Sequence, residues 1–199
     1  MRSFFSSALL FATLVIYAAS ATAADAGGAK LFVDAVATEV LAIVKNGDAS
    51  KAEKEQKIEA IFKDKVDLNF VAKFVLGKHW RTASAAQQQS YLMAYKPFIM
   101  KNYANKLTKY SGQTYTLKTP RDEGDAAVVT MDIIDPNGQN VSVDYRLRGA
   151  EKSGYKIIDI TVEGVSLLAT QRSEFDSIVQ NKGIDGLIDA LKKQVAEKA

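Results

Sequence analysis

The chain has one histidine, His79, and no cysteine. A single imidazole without thiols argues against a histidine-based nucleophile triad and against a zinc site with the usual ligand set. Beside Trp80, His79 reads as a partly buried structural side chain. The carboxylates that stand apart are Asp132, Asp144 and Asp159, each within an alternating stretch and opposite its apolar residues. A carboxylic acid pair in that setting would be the arrangement of a glycosidase. Three dispersed carboxylates on a wet sheet face instead serve solubility, and most other acids sit among lysines at helical spacing. Neither GxGxxG nor GxxxxGK[ST] occurs, so nucleotide chemistry has no support. No residue is assigned a catalytic role, and neither a metal nor a cofactor is expected.

The elements that would position any site begin after residue 23. Arg2 forms a positive n-region, Phe4 to Ala19 is uncharged and apolar, and Ala21-Thr22-Ala23 offers a small-residue cleavage site. This is the pattern of a signal peptide over residues 1–23, too short for the roughly 20 apolar residues of a spanning helix. Residues 24–199 then form one domain, exported and without the cysteine that anchors bacterial lipoproteins. The formal charge of +3 falls by one with the loss of Arg2. Such a balance is not the footprint of a nucleic-acid binder.

Apolar spacing of three and four predicts a helix over about 27–45, ended by Asn46-Gly47. Ser50 with Glu53 is a capping box opening a mostly solvated helix, Lys51 to Lys65. Asp67 caps a third helix closed by Gly77, and Ser84 with Gln87 opens the longest, to about Tyr110. Pro97 lies inside that helix, and the lost donor and ring clash predict a kink. From Gly112 the period becomes two, in four strands around Tyr115–Leu117, Ala127–Ile133, Val141–Leu147 and Ile158–Val162, joined by short turn-rich loops. Helical spacing resumes over about 166–197. Helices run together (about 27–110) and strands run together (about 113–163), which predicts an α+β fold: a four-stranded antiparallel meander wrapped by N- and C-terminal helices.

The inward-facing inventory, with Met131, Tyr145, Tyr95, Phe98, Tyr103, Phe74 and Trp80, is large and soft. Such a layer forms either a solid core or the wall of an apolar cavity, and pattern does not separate the two.

A resemblance does. Val66-Asp67-Leu68, Phe74-Val75-Leu76-Gly77-Lys78-His79-Trp80-Arg81, Val143-Asp144-Tyr145-Arg146-Leu147 and Gln171-Arg172-Ser173-Glu174-Phe175 occur in order from about residue 30 to 192. Together they resemble the MlaC family of periplasmic phospholipid carriers, the toluene-tolerance auxiliary components of ABC transporters. The resemblance implies a nuclear-transport-factor-like sheet with acyl chains inserted between it and the helices. It also implies a periplasmic shuttle, expected to be monomeric, with three partners: a phospholipid, an inner-membrane ABC transporter complex and an outer-membrane lipoprotein complex. Catalysis is not implied.

Two acyl chains hold roughly 30 methylenes at about 0.8 kcal/mol each, so on the order of 20 to 25 kcal/mol opposes exposing them to water. A carrier therefore needs a pocket near or above the upper end of the usual ~300–1,000 Å³ range. A bend at Pro97 would open that space. The lipid-binding wall is expected from Val129, Met131, Val143, Tyr145, Leu147, Ile160 and Val162 of the strands, with Phe74, Tyr95, Phe98, Tyr103 and Leu168 of the helices. Arg81 and Arg172 are expected in structural salt bridges rather than at a headgroup or partner. The rival readings are a hopanoid carrier of the same family, an exported enzyme on a similar cone-shaped sheet with a buried acid or His79 at the pocket floor, and a solid-cored adaptor.

Overall fold

Local capping signals set the helical half. In the computed structural model, which describes residues 26–109, 112–150 and 154–197, α1 spans Ala26–Lys45 and α2 spans Lys51–Lys65. Both halves of the Ser50–Glu53 capping box are formed, which satisfies amide donors that the first helical turn leaves without partners. Asp67 accepts from the Phe70 amide and starts α3, Leu68–Leu76. Gly77 ends it at φ 59°, and a Cβ there would lie 2.7 Å from the Arg172 guanidinium, so glycine is required twice over. The stretch around His79 is a short helix, α4, Lys78–Thr82.

The Ser84–Gln87 box opens α5, Ala85–Leu107, which remains one helix through Pro97. It stops at Leu107 with Thr108 as its C-cap, and Thr108 and Lys109 form a turn rather than the expected extension; Tyr110 lies outside the described residues, as does the signal peptide. The last helix, α6, covers Leu167–Glu197 and is broken at Gly183, whose φ of 70° and ψ of 176° interrupt the helical backbone.

Among the described residues, six strands form one antiparallel sheet: β1 Thr114–Leu117, β2 Arg121–Asp122, β3 Ala127–Ile134, β4 Asn140–Ala150, β5 Gly154–Val162 and β6 Val165–Ser166. Four strands were expected, and the two extra ones are two residues each. Both β1 and β2 pair with β3. Between them lies Pro120, which has no amide to donate, so what would be one edge strand is interrupted. A further correction concerns register. Tyr145 opposes Ile160 but Leu147 opposes Ile157, an irregularity that brings Ile157 onto the row of Ile160 and Val162. The expected alternation through Ile158 does not hold there.

One core lies among α3, the first part of α5 and α6, centred on Tyr91, Tyr95, Phe98, Phe175 and Leu187. A second joins the start of α1 to the sheet through Ala29, Val33, Val129 and Leu147, and a third, small one joins Val44, Ile58 and Ala104. The space between the second and third is not filled.

Candidate functional site

That space is a cavity of about 370 Å³ between α1, the end of α2, the last turns of α5 and one face of the sheet. The α1 wall is its valine and leucine stripe, Val33, Val36, Val40, Leu41 and Val44, with Ala37. Helix α2 adds Ile61 and Phe62, and Phe62 stacks on Tyr103 of α5 at 5.5 Å between ring centroids. The sheet supplies Met131, Ile133, Val143, Tyr145, Ile157, Ile160 and Val162, from strand positions that share a face.

Of the residues expected on a lipid-binding wall, the structure gathers Tyr103, Met131, Val143, Tyr145, Ile160 and Val162 around this cavity. The others lie elsewhere. Val129 and Leu147 face the same side but are buried under the start of α1. Tyr95 and Phe98 belong to the filled core, where Tyr95 donates to Gln171 at 2.6 Å and meets Phe175 edge-on. Leu168 is in that core too, and its neighbour Leu167 reaches the cavity instead. Phe74 is 36% exposed and stacks with Phe70 on the outside of α3.

The α1 residues have a visible sequence signal, the apolar stripe, but nothing in one element says what it will face. Ile157 was hidden by the register irregularity. Lys106, Gln113 and Thr114 also border the cavity and carry no periodic signal, and Tyr115 borders it from the alternating stretch of β1.

The expected volume was near the top of the usual pocket range, and 370 Å³ lies near the bottom. Helix α1 lies close over the sheet and is tied to it: the Tyr115 hydroxyl donates to Asp34 Oδ1 at 2.8 Å and is 3.1 Å from Thr38 Oγ1. These contacts bound one side of the cavity.

The candidate acids and bases are occupied away from this wall. His79 Nε2 is 2.7 Å from Asp176, and that carboxyl is held below its usual range by Lys78 and then His79. Asp144 is held low by its hydrogen bond to Arg121, with Thr130 adding to it, and Asp132 by Lys118. Asp159 accepts from the Ser166 hydroxyl at 2.6 Å and from the Leu168 amide at 3.4 Å, where α6 begins. None of them lines the cavity. On the wall itself, burial first and the Asp159 and Glu174 charges second push the Tyr103 phenol up to about 12, so it stays neutral. No group of three acidic or histidine side chains among the described residues is placed to hold a metal ion. This arrangement can enclose apolar matter, and its wall presents no acid–base pair.

The two most distinctive sequence blocks serve packing. Gln171 satisfies Tyr95, Phe175 fills the core, and Arg172 lies 5.3 Å above the Phe74 ring. Arg172 and Arg81 have no carboxylate partner among the described residues, so the salt bridges expected for them are not formed.

A helix-backed antiparallel sheet with a one-sided apolar cavity is the architecture of a pocket protein for apolar ligands. The chain belongs to the MlaC family: the family model described as MlaC protein matches residues 34–193. A relative from Haemophilus influenzae, named intermembrane phospholipid transport system binding protein MlaC, is 28% identical over 136 residues. That match covers 66% of this chain and 64% of the relative. A solved structure of a phospholipid-binding protein from Ralstonia solanacearum, in complex with a phospholipid, superposes with a TM-score of 0.73 at 25% identity. It covers 88% of this chain and 99% of the other. Among the described residues, no helix is long and apolar enough to cross a membrane.

Proposed function

We propose that this protein is a periplasmic phospholipid carrier. It takes lipid between an outer-membrane lipoprotein complex and an inner-membrane ABC transporter, and so helps keep the two leaflets of the outer membrane different. The observation that carries the reading is the apolar cavity in a chain of this family. The phospholipid bound to the structurally similar Ralstonia protein supports it.

Sheltering most of two acyl chains offsets the on the order of 20 kcal/mol that their exposure to water would cost. For that the walls must part beyond 370 Å³. Helix α1 is the wall to move: Val36, Ala37, Val40 and Leu41 are only half-buried, and the Tyr115 contacts that hold it are exposed polar ones. Exposed hydrogen bonds are weak restraints, of order 1 kcal/mol each.

Native mass spectrometry of the protein purified from periplasm, followed by lipid extraction, tests this. A bound mass equal to a phospholipid is the expected result. Protein that is empty and takes no lipid from vesicles would refute the carrier reading, and a hopanoid mass would change the ligand while keeping the carrier.

A further inference from the structure

The cavity wall is apolar along most of its length, and two of its unpaired polar groups flank one connection. Lys106 sits in the last turn of α5 and Gln113 just ahead of β1, on either side of the link between those elements. The two lysines that border the cavity differ. The Lys65 amine is 2.7 Å from Asp64, so its charge is met. Lys106 has no carboxylate partner among the described residues, and its amine lies over the Tyr103 ring, 5.5 Å from the centroid. Gln113 adds a second unmet group: its Oε1 is buried and has no hydrogen-bond partner among the described residues. A buried acceptor left unpaired is rare and costly, and here it belongs to a residue of the cavity wall.

We propose that Lys106 and Gln113 read the polar end of the lipid, and that Gln113 selects headgroups able to donate a hydrogen bond. The proposal rests on the phospholipid-carrier reading. Acyl chains occupy the apolar length along α1, which from Val33 to Val44 runs about 16 Å at 1.5 Å per residue. The glycerophosphate then lies at the α5–β1 end, where Lys106 and Thr114 are exposed to solvent. There the Lys106 ammonium pairs with the phosphodiester as a mobile point charge. Gln113 Oε1 accepts from the headgroup, from the N–H of an ethanolamine or the O–H of a glycerol. Choline has neither, because its nitrogen carries four carbons, and it leaves Gln113 unpaired. A site built to bond a donor discriminates against an analogue lacking it, since its own buried group goes unmet.

The test mixes the purified full chain with vesicles containing equal amounts of ethanolamine, glycerol and choline phospholipids of matched chains, plus diacylglycerol. The protein is then re-isolated and its lipids weighed by mass spectrometry. Wild type is expected to take the ethanolamine and glycerol lipids over the choline lipid by roughly tenfold, the range of one buried hydrogen bond. Gln113→Leu is expected to reduce the preference to under about twofold, read as the ratio of ethanolamine and glycerol lipids to choline lipid within the lipid it does hold, and Gln113→Met serves if that variant does not fold. Lys106→Gln is expected to lower uptake of all three phospholipids relative to diacylglycerol while keeping their order. Equal uptake of choline lipid by wild type, or an unchanged preference in both Gln113 variants, overturns the proposal and leaves the carrier reading intact. Wild type that takes up no lipid of any kind defeats the carrier reading itself.

Discussion

Tyr95 and Tyr103 stand about two turns apart on α5, yet their surroundings are opposite. Tyr95 is fully buried in a filled core, its hydroxyl bonded to Gln171 and its ring enclosed by Tyr91, Phe98 and Phe175. Tyr103 borders the cavity, stacked on Phe62. The difference is in what each part of α5 meets. Its first part is packed against α3 and α6, whose side chains complete the core. Its last turns face α1 and the sheet across the gap. A hydrophobic helix face therefore specifies burial but not whether the far side is solid. In this protein rigidity and room are supplied by different partners of the same helix.

Truncation in the filled half should show the largest effect. Phe98→Ala is expected to destabilise by about 3–5 kcal/mol, the range for removing a large buried aromatic ring. Tyr103→Ala, at the cavity, is expected to lose clearly less, because that ring already borders open space. Chemical denaturation of the two variants measures both. Equal losses would break the contrast between the two parts of α5.

Filling the cavity should do the reverse. Val143→Trp projects an indole into the space from β4. It is expected to keep the melting temperature within a few degrees, since roughly 1 kcal/mol is all that is at stake when open volume is filled. Copurifying lipid is expected to fall severalfold or more, read by extraction and mass spectrometry. A well-folded Val143→Trp protein with a full lipid load would place the ligand elsewhere.

Acid should separate the wet sheet face from the cavity. Hydrogen bonds and charge from Arg121, Arg146 and Lys118 lower the folded-state pKa of Asp144, Glu123 and Asp132 below the ordinary values of 3.8 for Asp and 4.5 for Glu. The folded state therefore binds fewer protons than the unfolded chain. These contacts contribute fully above the unfolded carboxylate pKa values, and the contribution is lost as pH falls through the folded ones. Thermal melts are expected to be flat with respect to these groups above about pH 5 and to drop below about pH 4. Arg121→Gln should reduce that acid-side loss. The cavity wall has no carboxylate among the described residues, so lipid retention should not fall until the melt does.

The smallest effect concerns the wall that ties down α1. Tyr115→Phe removes the hydroxyl bonded to Asp34 and near Thr38. At about 1 kcal/mol for an exposed contact, lipid exchange with vesicles is expected to speed up by a few fold, with little change in stability. An unchanged exchange rate would mean that the cavity opens along another side.

Much of the helical half was readable because its signals are local. The caps Ser50, Asp67 and Ser84 and the stop at Gly77 act on neighbouring backbone groups, and the residues themselves name them, whereas the break at Gly183 came only with the structure. The strands were readable from alternation, except where a long-range partner set the register. Nothing in Tyr155-Lys156-Ile157-Ile158-Asp159 shows that Leu147 will oppose Ile157. Nor does Arg121-Asp122 announce that it will resume the pairing that Pro120 interrupts.

The cavity was the least legible feature. Half of its expected wall is there, because facing direction follows from period two, but Tyr95, Phe98, Leu168 and Phe74 went into packing or onto the surface. Type and spacing by themselves determined the α+β class, the ends of the helices, the inward face of the sheet and the resemblance that points to lipid. Tertiary structure alone decided where the apolar faces close on one another and where α1 and the sheet leave a gap. Burial is a property of a residue and its period, whereas a cavity is a mismatch between surfaces that meet from distant parts of the chain. The pairing state of Lys106 and Gln113 was decided in the same way, by which neighbours arrived beside them and which did not.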